Sequence, residues 1–103
     1  MKEDVVYDCE WDPAKALSNA RKHGITFDQA AMVLLDALAL TVCDDASSQH
    51  EERWFTLGLD AGGNLLAVAH TYEIIGPTNV RIRIISARKA TRRERRSYED
   101  EPR

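Results

Sequence analysis

Of the three histidines in this 103-residue sequence, His70 is the one whose place in the chain suits proton transfer. Imidazole titrates near pH 6.5, so it can give or take a proton at neutral pH (pKa about 6.5). His23 falls in the last turn of a predicted helix and His50 in a polar loop, so neither is favoured as a catalyst. His70 is in phase with apolar residues near the end of a predicted strand. It reads first as a hydrogen-bonded core histidine and second as a proton carrier. Strand alternation places Arg81 and Arg83 on one face, opposite Val80, Ile82 and Ile84. If Asp60 closes a hairpin against Leu65, then Phe55 lies across from His70 and Arg53 from Tyr72. Trp54 and Thr56 then share a face with Ala67, Ala69, Thr71, Arg81 and Arg83. Such a surface of small residues, edged by guanidinium groups and an indole, suits a ribose-phosphate, with Trp54 and Arg81 as contacts and Trp54 stacking on a base. It equally suits a face covered by the terminal helix with its arginines reaching water.

Charge is unevenly spread. The sum is −3, but Val80 to Arg96 holds eight basic residues against one acidic, and Asp36 to Asp60 holds six acidic against one basic. Phosphate affinity follows the local field over one face and not the sum. Arg92 and Arg93 lie in a basic terminal helix that fits a solvated face, RNA contact, or docking of an acidic partner segment. Cys9 and Cys43 have no C-x-x-C spacing and read as two small buried side chains in a reducing compartment. No metal site and no cofactor is expected. No run of about 18 apolar residues occurs, and the acidic start Met1-Lys2-Glu3-Asp4 lacks an apolar signal core. A cytoplasmic location without membrane contact is expected.

The elements that must position these residues are legible from caps and periodicity. Val5 to Cys9 leans to strand. Asp12-Pro13 opens a helix to about His23, and Gly24 ends it. Thr26 and Gln29 form a capping box for a helix from Phe27 to about Leu35, whose stripe is Phe27, Ala30, Ala31, Leu34 and Leu35. Strands follow at Ala39–Cys43, Arg53–Leu59, Leu65–Tyr72 and Val80–Ala87, with polar residues Asp44–Glu52, the hairpin signal Asp60–Asn64, and a turn over Ile74–Asn79 between them. Thr91 and Glu94 box a short helix through Tyr98, and Glu99–Arg103 reads as a frayed tail. The expectation is one α+β domain over residues 1–103, with an antiparallel sheet, two N-terminal helices on one face and a short C-terminal helix.

Several segments resemble one known family. They are Glu10-Trp11-Asp12 with Lys15 and Asn19, Lys22-His23-Gly24-Ile25 with Phe27, Glu52-Arg53 with Gly58, His70-Thr71, and Arg83-Ile84-Ile85-Ser86-Ala87-Arg88-Lys89-Ala90 with Glu94 and Tyr98. Together they are similar to the BrnT-like toxins, from Glu10 to about Glu99. The resemblance implies a RelE-like fold, endoribonuclease activity that arrests translation, and a hetero-oligomer with a BrnA-like antitoxin that alone contacts operator DNA. One departure is the Glu73–Asn79 turn, which is longer than the family's usual link and leaves the relation of Arg83 to His70 to the tertiary structure.

On that resemblance, RNA is cut without a metal by attack of its own 2′-hydroxyl. Arg53, Arg83 and Arg88 are the candidates to stabilise the phosphorane, because the guanidinium fork is planar and always charged. His70 is the candidate base or acid, and Tyr98 and Lys22 are candidates for proton handling and phosphate contact. A non-catalytic RNA- or protein-binding module on the same fold is the alternative. A DNA-binding repressor fits poorly, because Phe27–Leu35 is too apolar for a recognition helix.

Overall fold

The computed structural model describes residues 5–44 and 52–101; His50, and all of the Asp44–Glu52 loop except its two ends, fall outside them. The elements are β1 (Val6–Glu10), α1 (Pro13–His23), α2 (Phe27–Val33), β2 (Leu40–Cys43), β3 (Trp54–Leu59), β4 (Leu65–His70), β5 (Glu73–Ile74), β6 (Asn79–Lys89) and α3 (Arg92–Asp100). Caps set the helix starts. Asp12 accepts from the Ala14 amide at 2.8 Å, and Pro13 fills the first position, where no N–H is needed. Thr26 with Gln29, and Thr91 with Glu94, close reciprocal capping boxes. Gly24, at φ +70°, supplies the left-handed residue that ends α1.

Six strands among the described residues run β1-β6-β4-β3-β2, with β5 also on β6. The sheet is mixed, which corrects the expectation of a purely antiparallel one. β1 lies parallel to β6, Val6 beside Asn79 through Glu10 beside Arg83. Two helices and four strands separate β1 from β6 along the chain. A connection that long can return the chain in either direction, and hairpin-length links constrain only their own neighbours. The long Glu73–Asn79 link is no detour: Glu73 and Ile74 pair with Arg81 and Val80, so it extends the β6 hairpin.

The β3–β4 register also differs from expectation by one residue. Trp54 pairs with His70 and Leu59 with Leu65, so Asp60 sits in the turn. Its carboxylate accepts from the amides of Gly62 and Asn64, each at 2.9 Å, and Gly63 at φ +81° completes the five-residue loop. A one-residue slip sends every side chain of a strand to the other face. Trp54, Thr56 and Gly58 therefore face α1 and α2, while Phe55 and Leu57 face α3.

Two apolar clusters result. Phe27, Ala30 and Val33 of α2 pack with Leu66, Val68, Val80, Ile82, Ile84 and Ala87 on one face of the sheet. Leu57, Leu65 and Ala67 pack with Tyr98 of α3 on the other. α2 ends earlier than its stripe implies. Leu34, Leu35 and Asp36 donate to carbonyls three residues back, which tightens the last turn and leaves Leu35 67% exposed. That turn brings the Asp36 carboxylate onto the Leu59 amide at 2.9 Å. Gly58 has no Cβ because one would stand 2.8 Å from Val33 Cγ1. Of the two cysteines, Cys9 is half-buried and Cys43 is exposed, since Cys43 lies on the outer strand β2.

The buried Asn19 of α1 joins the helix layer to β6. Its side chain donates to the carbonyls of Ile25 (3.0 Å) and Ala87 (2.8 Å) and accepts from the Ala87 amide (3.1 Å). Asn19→Leu leaves these buried groups without partners, and each such group costs about 1–3 kcal/mol. We expect the urea midpoint to fall by the equivalent of at least about 2 kcal/mol at constant m-value. A loss under about 0.5 kcal/mol, the size of an ordinary surface substitution, would remove Asn19 from this role.

Candidate functional site

The strand register sorts the candidate residues onto two faces. On the side away from α1 and α2, Arg83 donates its amide to Thr71 Oγ1 and accepts at its carbonyl from the Thr71 amide, both at 3.0 Å. Arg53 precedes Trp54, where the β3–β4 pairing ends at His70, and alternation turns it to the Arg83 side of the sheet. A β-bulge lies between the Ala69–Ser86 and His70–Ile84 pairs of β4 and β6. Arg83 and Arg88 are an odd number of residues apart, and the bulge restores them to one face. Arg53, Arg83 and Arg88 thus share a sheet face with Thr71, Ala69 and Ala67 on its floor. Phe55 joins that face, and Trp54 leaves it.

The open end of this face is a hollow of about 440 Å³ lined by Glu10, Glu52, Thr71, Tyr72, Glu73, Arg81 and Arg83. Arg81 bonds Glu73 at 3.1 Å, and both are well exposed. Three carboxylates thus stand with two arginines, Arg81 and Arg83; of the predicted trio only Arg83 lines the hollow, and Arg53 and Arg88 do not. Glu10 and Glu52 were visible in the sequence only as family-like positions, because their nearness to Arg83 comes from the parallel pairing of β1 and the start of β3. At the other end α3 stands against Leu57 and Ala67, with Arg92 and Arg93 exposed in its first turn.

Arg88 and Tyr98 anchor α3. Arg88 forms a two-pronged pair with Glu94, at 2.8 and 3.0 Å, and its guanidinium lies over the Phe55 ring, 5.4 Å from the centroid. The hydrogen bonds from Arg88 hold the Glu94 carboxyl below the usual carboxylate range. The Tyr98 hydroxyl donates to Asp36 at 2.5 Å. Lys22 lies in the other layer, beside Lys15, His23 and Ser86 around a shallow 270 Å³ groove, so the sheet separates it from Arg53 and Arg83.

His70 is also on the helix side and is fully buried. Nδ1 is 2.7 Å from the Thr71 carbonyl and Nε2 is 2.7 Å from Thr56 Oγ1, which is 2.8 Å from Thr41 Oγ1. A carbonyl only accepts, so Nδ1 carries the proton. Burial lowers the His70 pKa, only partly offset by the Thr71 hydrogen bond, and favours the neutral ring. Trp54 lies beside Tyr72, ring centroids 5.9 Å apart, and its indole N–H meets no acceptor among the described residues.

The molecule is a small α+β domain with arginines on one sheet face and a basic helix beside it. Comparison narrows the class. Residues 11–94 match the family model described as ribonuclease toxin, BrnT, of type II toxin–antitoxin systems. The chain belongs to that family of toxins. The fold is similar to the 1.1 Å crystal structure of the Brucella abortus ribonuclease toxin BrnT, with TM-score 0.60 and 24% identity over 84% of this chain and 100% of that one. No curated protein matches the sequence. Membership in a type II system implies an antitoxin partner. No helix among the described residues is long and apolar enough to cross a membrane.

Because the folded state resists protonating His70, it binds that proton less readily than the unfolded chain. Stability is full above the ordinary imidazole value of 6.5 and falls as pH drops below it. Denaturant midpoints measured from about pH 8 to about pH 5 should show this slope in the native chain and lose it in His70→Gln. Identical slopes in the two would exclude the buried neutral imidazole as its source.

Proposed function

We propose that this chain is a metal-independent endoribonuclease that cuts mRNA and so arrests translation, and that a BrnA-like antitoxin silences it. The observation that carries this is the hollow that holds Thr71, Arg81 and Arg83 on one sheet face, with Arg88 and the basic end of α3 along the same face. A phosphodiester resting on Thr71 meets the Arg81 and Arg83 guanidinium groups. As the 2′-oxygen attacks phosphorus, negative charge grows on the phosphorane oxygens, where fixed cationic donors act most strongly. Glu10 or Glu52, both in the hollow, takes the proton from the 2′-hydroxyl. The P–O5′ bond then breaks, and the departing oxygen takes up a proton through water, to which the carboxyl group releases the one it gained. The products are a 2′,3′-cyclic phosphate and a 5′-hydroxyl.

His70 enters this scheme as a positioning residue. Both its ring nitrogens are bonded and the sheet lies between it and Arg83, but its bond to the Thr71 carbonyl helps hold Thr71 beside Arg83. Carboxylates outnumber arginines in the hollow, so RNA affinity must come from its surroundings, above all Arg92, Arg93 and Arg96 of α3. An acidic antitoxin segment docking there would compete with RNA for the same charges.

The test is incubation of the purified chain with single-stranded RNA in excess EDTA, with end-group analysis of the products. Cleavage giving cyclic-phosphate ends is expected. Arg83→Ala should lower the rate about 10²–10³-fold with the fold intact, as for loss of one transition-state donor. Arg83→Lys should restore only part, since an ammonium lacks the planar fork. An unchanged rate in Arg83→Ala would remove this face from the chemistry; RNA binding with no cleavage by the native chain would make it a binding module.

Replacing Arg92 and Arg93 with Ala should flatten the plot of log affinity against log salt by about one unit for each phosphate that is no longer neutralised. An unaltered slope would assign these arginines to the antitoxin or to solvent.

A further inference from the structure

On the helix side a second cavity, of about 330 Å³, has Tyr7 and Tyr72 in its wall and Thr41, Thr56, His70 and Asp36 as its other polar lining. Its volume is at the lower end of the roughly 300–1,000 Å³ of small-molecule sites. Tyr72 also lines the Arg83 hollow, so the two cavities adjoin at this ring. They meet where the sheet is incomplete. β3 pairs with β4 only as far as Trp54 and His70, and β5 pairs with β6 alone among the described strands. Tyr72, 38% exposed, stands at that gap.

The hydrogen-bond chain at His70 fixes what the cavity offers. Nδ1 donates to the Thr71 carbonyl, so in the neutral ring Nε2 is an acceptor, and Thr56 must donate to it. Thr56 has then spent its proton, so Thr41 must donate to Thr56. Thr41, which is exposed, is left with lone pairs alone to offer. The Asp36 carboxylate is already engaged by Leu38, Leu59 and Tyr98, and the tyrosine hydroxyls work either way. The cavity therefore combines aromatic walls with acceptors and suits a flat ligand that donates N–H.

We infer that this cavity binds a nucleobase bearing an exocyclic amino group, turned around Tyr72 from an RNA strand whose phosphate lies on the Arg83 face. The inference deepens the ribonuclease reading and rests on it for the strand's path, but binding can be measured without cleavage. The probes are 2′-O-methyl pentanucleotides, which lack the attacking hydroxyl, with four uridines and one central residue: adenosine, purine riboside (adenine without its amino group) or an abasic unit. Amide NMR reports where each binds, and titration reports how tightly.

Adenosine should bind about tenfold or more tightly than the abasic unit, as expected when a base stacks on an aromatic ring. It should also bind several-fold more tightly than purine riboside, with shifts at Thr41, Thr56 and Tyr72. Thr41→Val should erase the adenosine–purine difference and keep the abasic one. Equal affinities for all three probes, or shifts confined to the Arg83 face, would overturn the proposal. An adenosine preference that survives Thr41→Val would overturn the acceptor assignment. Failure of the ribonuclease reading shows separately, as intact unmodified RNA after incubation with the native chain.

Discussion

The carboxamide of Asn19 is the joint on which the arrangement depends. β1 accompanies β6 only as far as Arg83, so beyond it this edge of β6 has no strand beside it among the described residues. Asn19 supplies both a donor and an acceptor to Ala87 there, in place of a neighbouring peptide. A buried backbone pair left unmet would favour opening of the strand. Bonded, it fixes α1 against β6 just past the bulge. The bulge matters because it turns Ala87 inward to the core and Arg88 outward to the face of Arg83. Without it, strand alternation would put Arg83 and Arg88 on opposite sides of the sheet.

The sheet thus separates two chemistries. One face is apolar where α1 and α2 cover it and turns polar at the Tyr7–Tyr72 cavity. The other is apolar only at the hairpin end, where Tyr98 closes it, and charged elsewhere. α3 is tied down at both ends, by Arg88–Glu94 and by Tyr98–Asp36. Asp36 bonds Leu59 of β3 as well as Tyr98, so one carboxylate couples the end of α2 to the terminal helix. Arg88 and Tyr98 therefore shape the charged face by holding α3 in place. Arg81 and Arg83 are the guanidinium-bearing residues of its hollow.

Electrostatics divides the work in the same way. The hollow mixes arginines with Glu10, Glu52 and Glu73, which suits proton transfer beside a fixed cation better than tight phosphate binding. The exposed arginines of α3 carry the basic charge that the hollow does not. A chain of net charge −3 can still present a local basic patch because Arg92, Arg93, Arg95 and Arg96 cluster in the first turns of one helix.

Local chemistry made much of this legible in the sequence. Asp12-Pro13, Thr26 with Gln29, Thr91 with Glu94, and Gly24 mark helix ends because caps act within a few residues. The alternation of Arg81 and Arg83 with Val80, Ile82 and Ile84 told which side of β6 was buried. The family resemblance was carried by short segments spread along the chain, and the family match covers residues 11–94. Contacts between distant segments were decided only by the tertiary structure. The parallel β1–β6 pair, the slip that exchanged Phe55 for Trp54, and the bulge before Arg88 each depend on how backbone hydrogen bonds register across strands, and periodicity of period two cannot distinguish one register from its neighbour. For the same reason the residue type of His70 announced proton chemistry, while its burial and its two hydrogen bonds, set by Thr56 and Thr71, decided which nitrogen holds the proton.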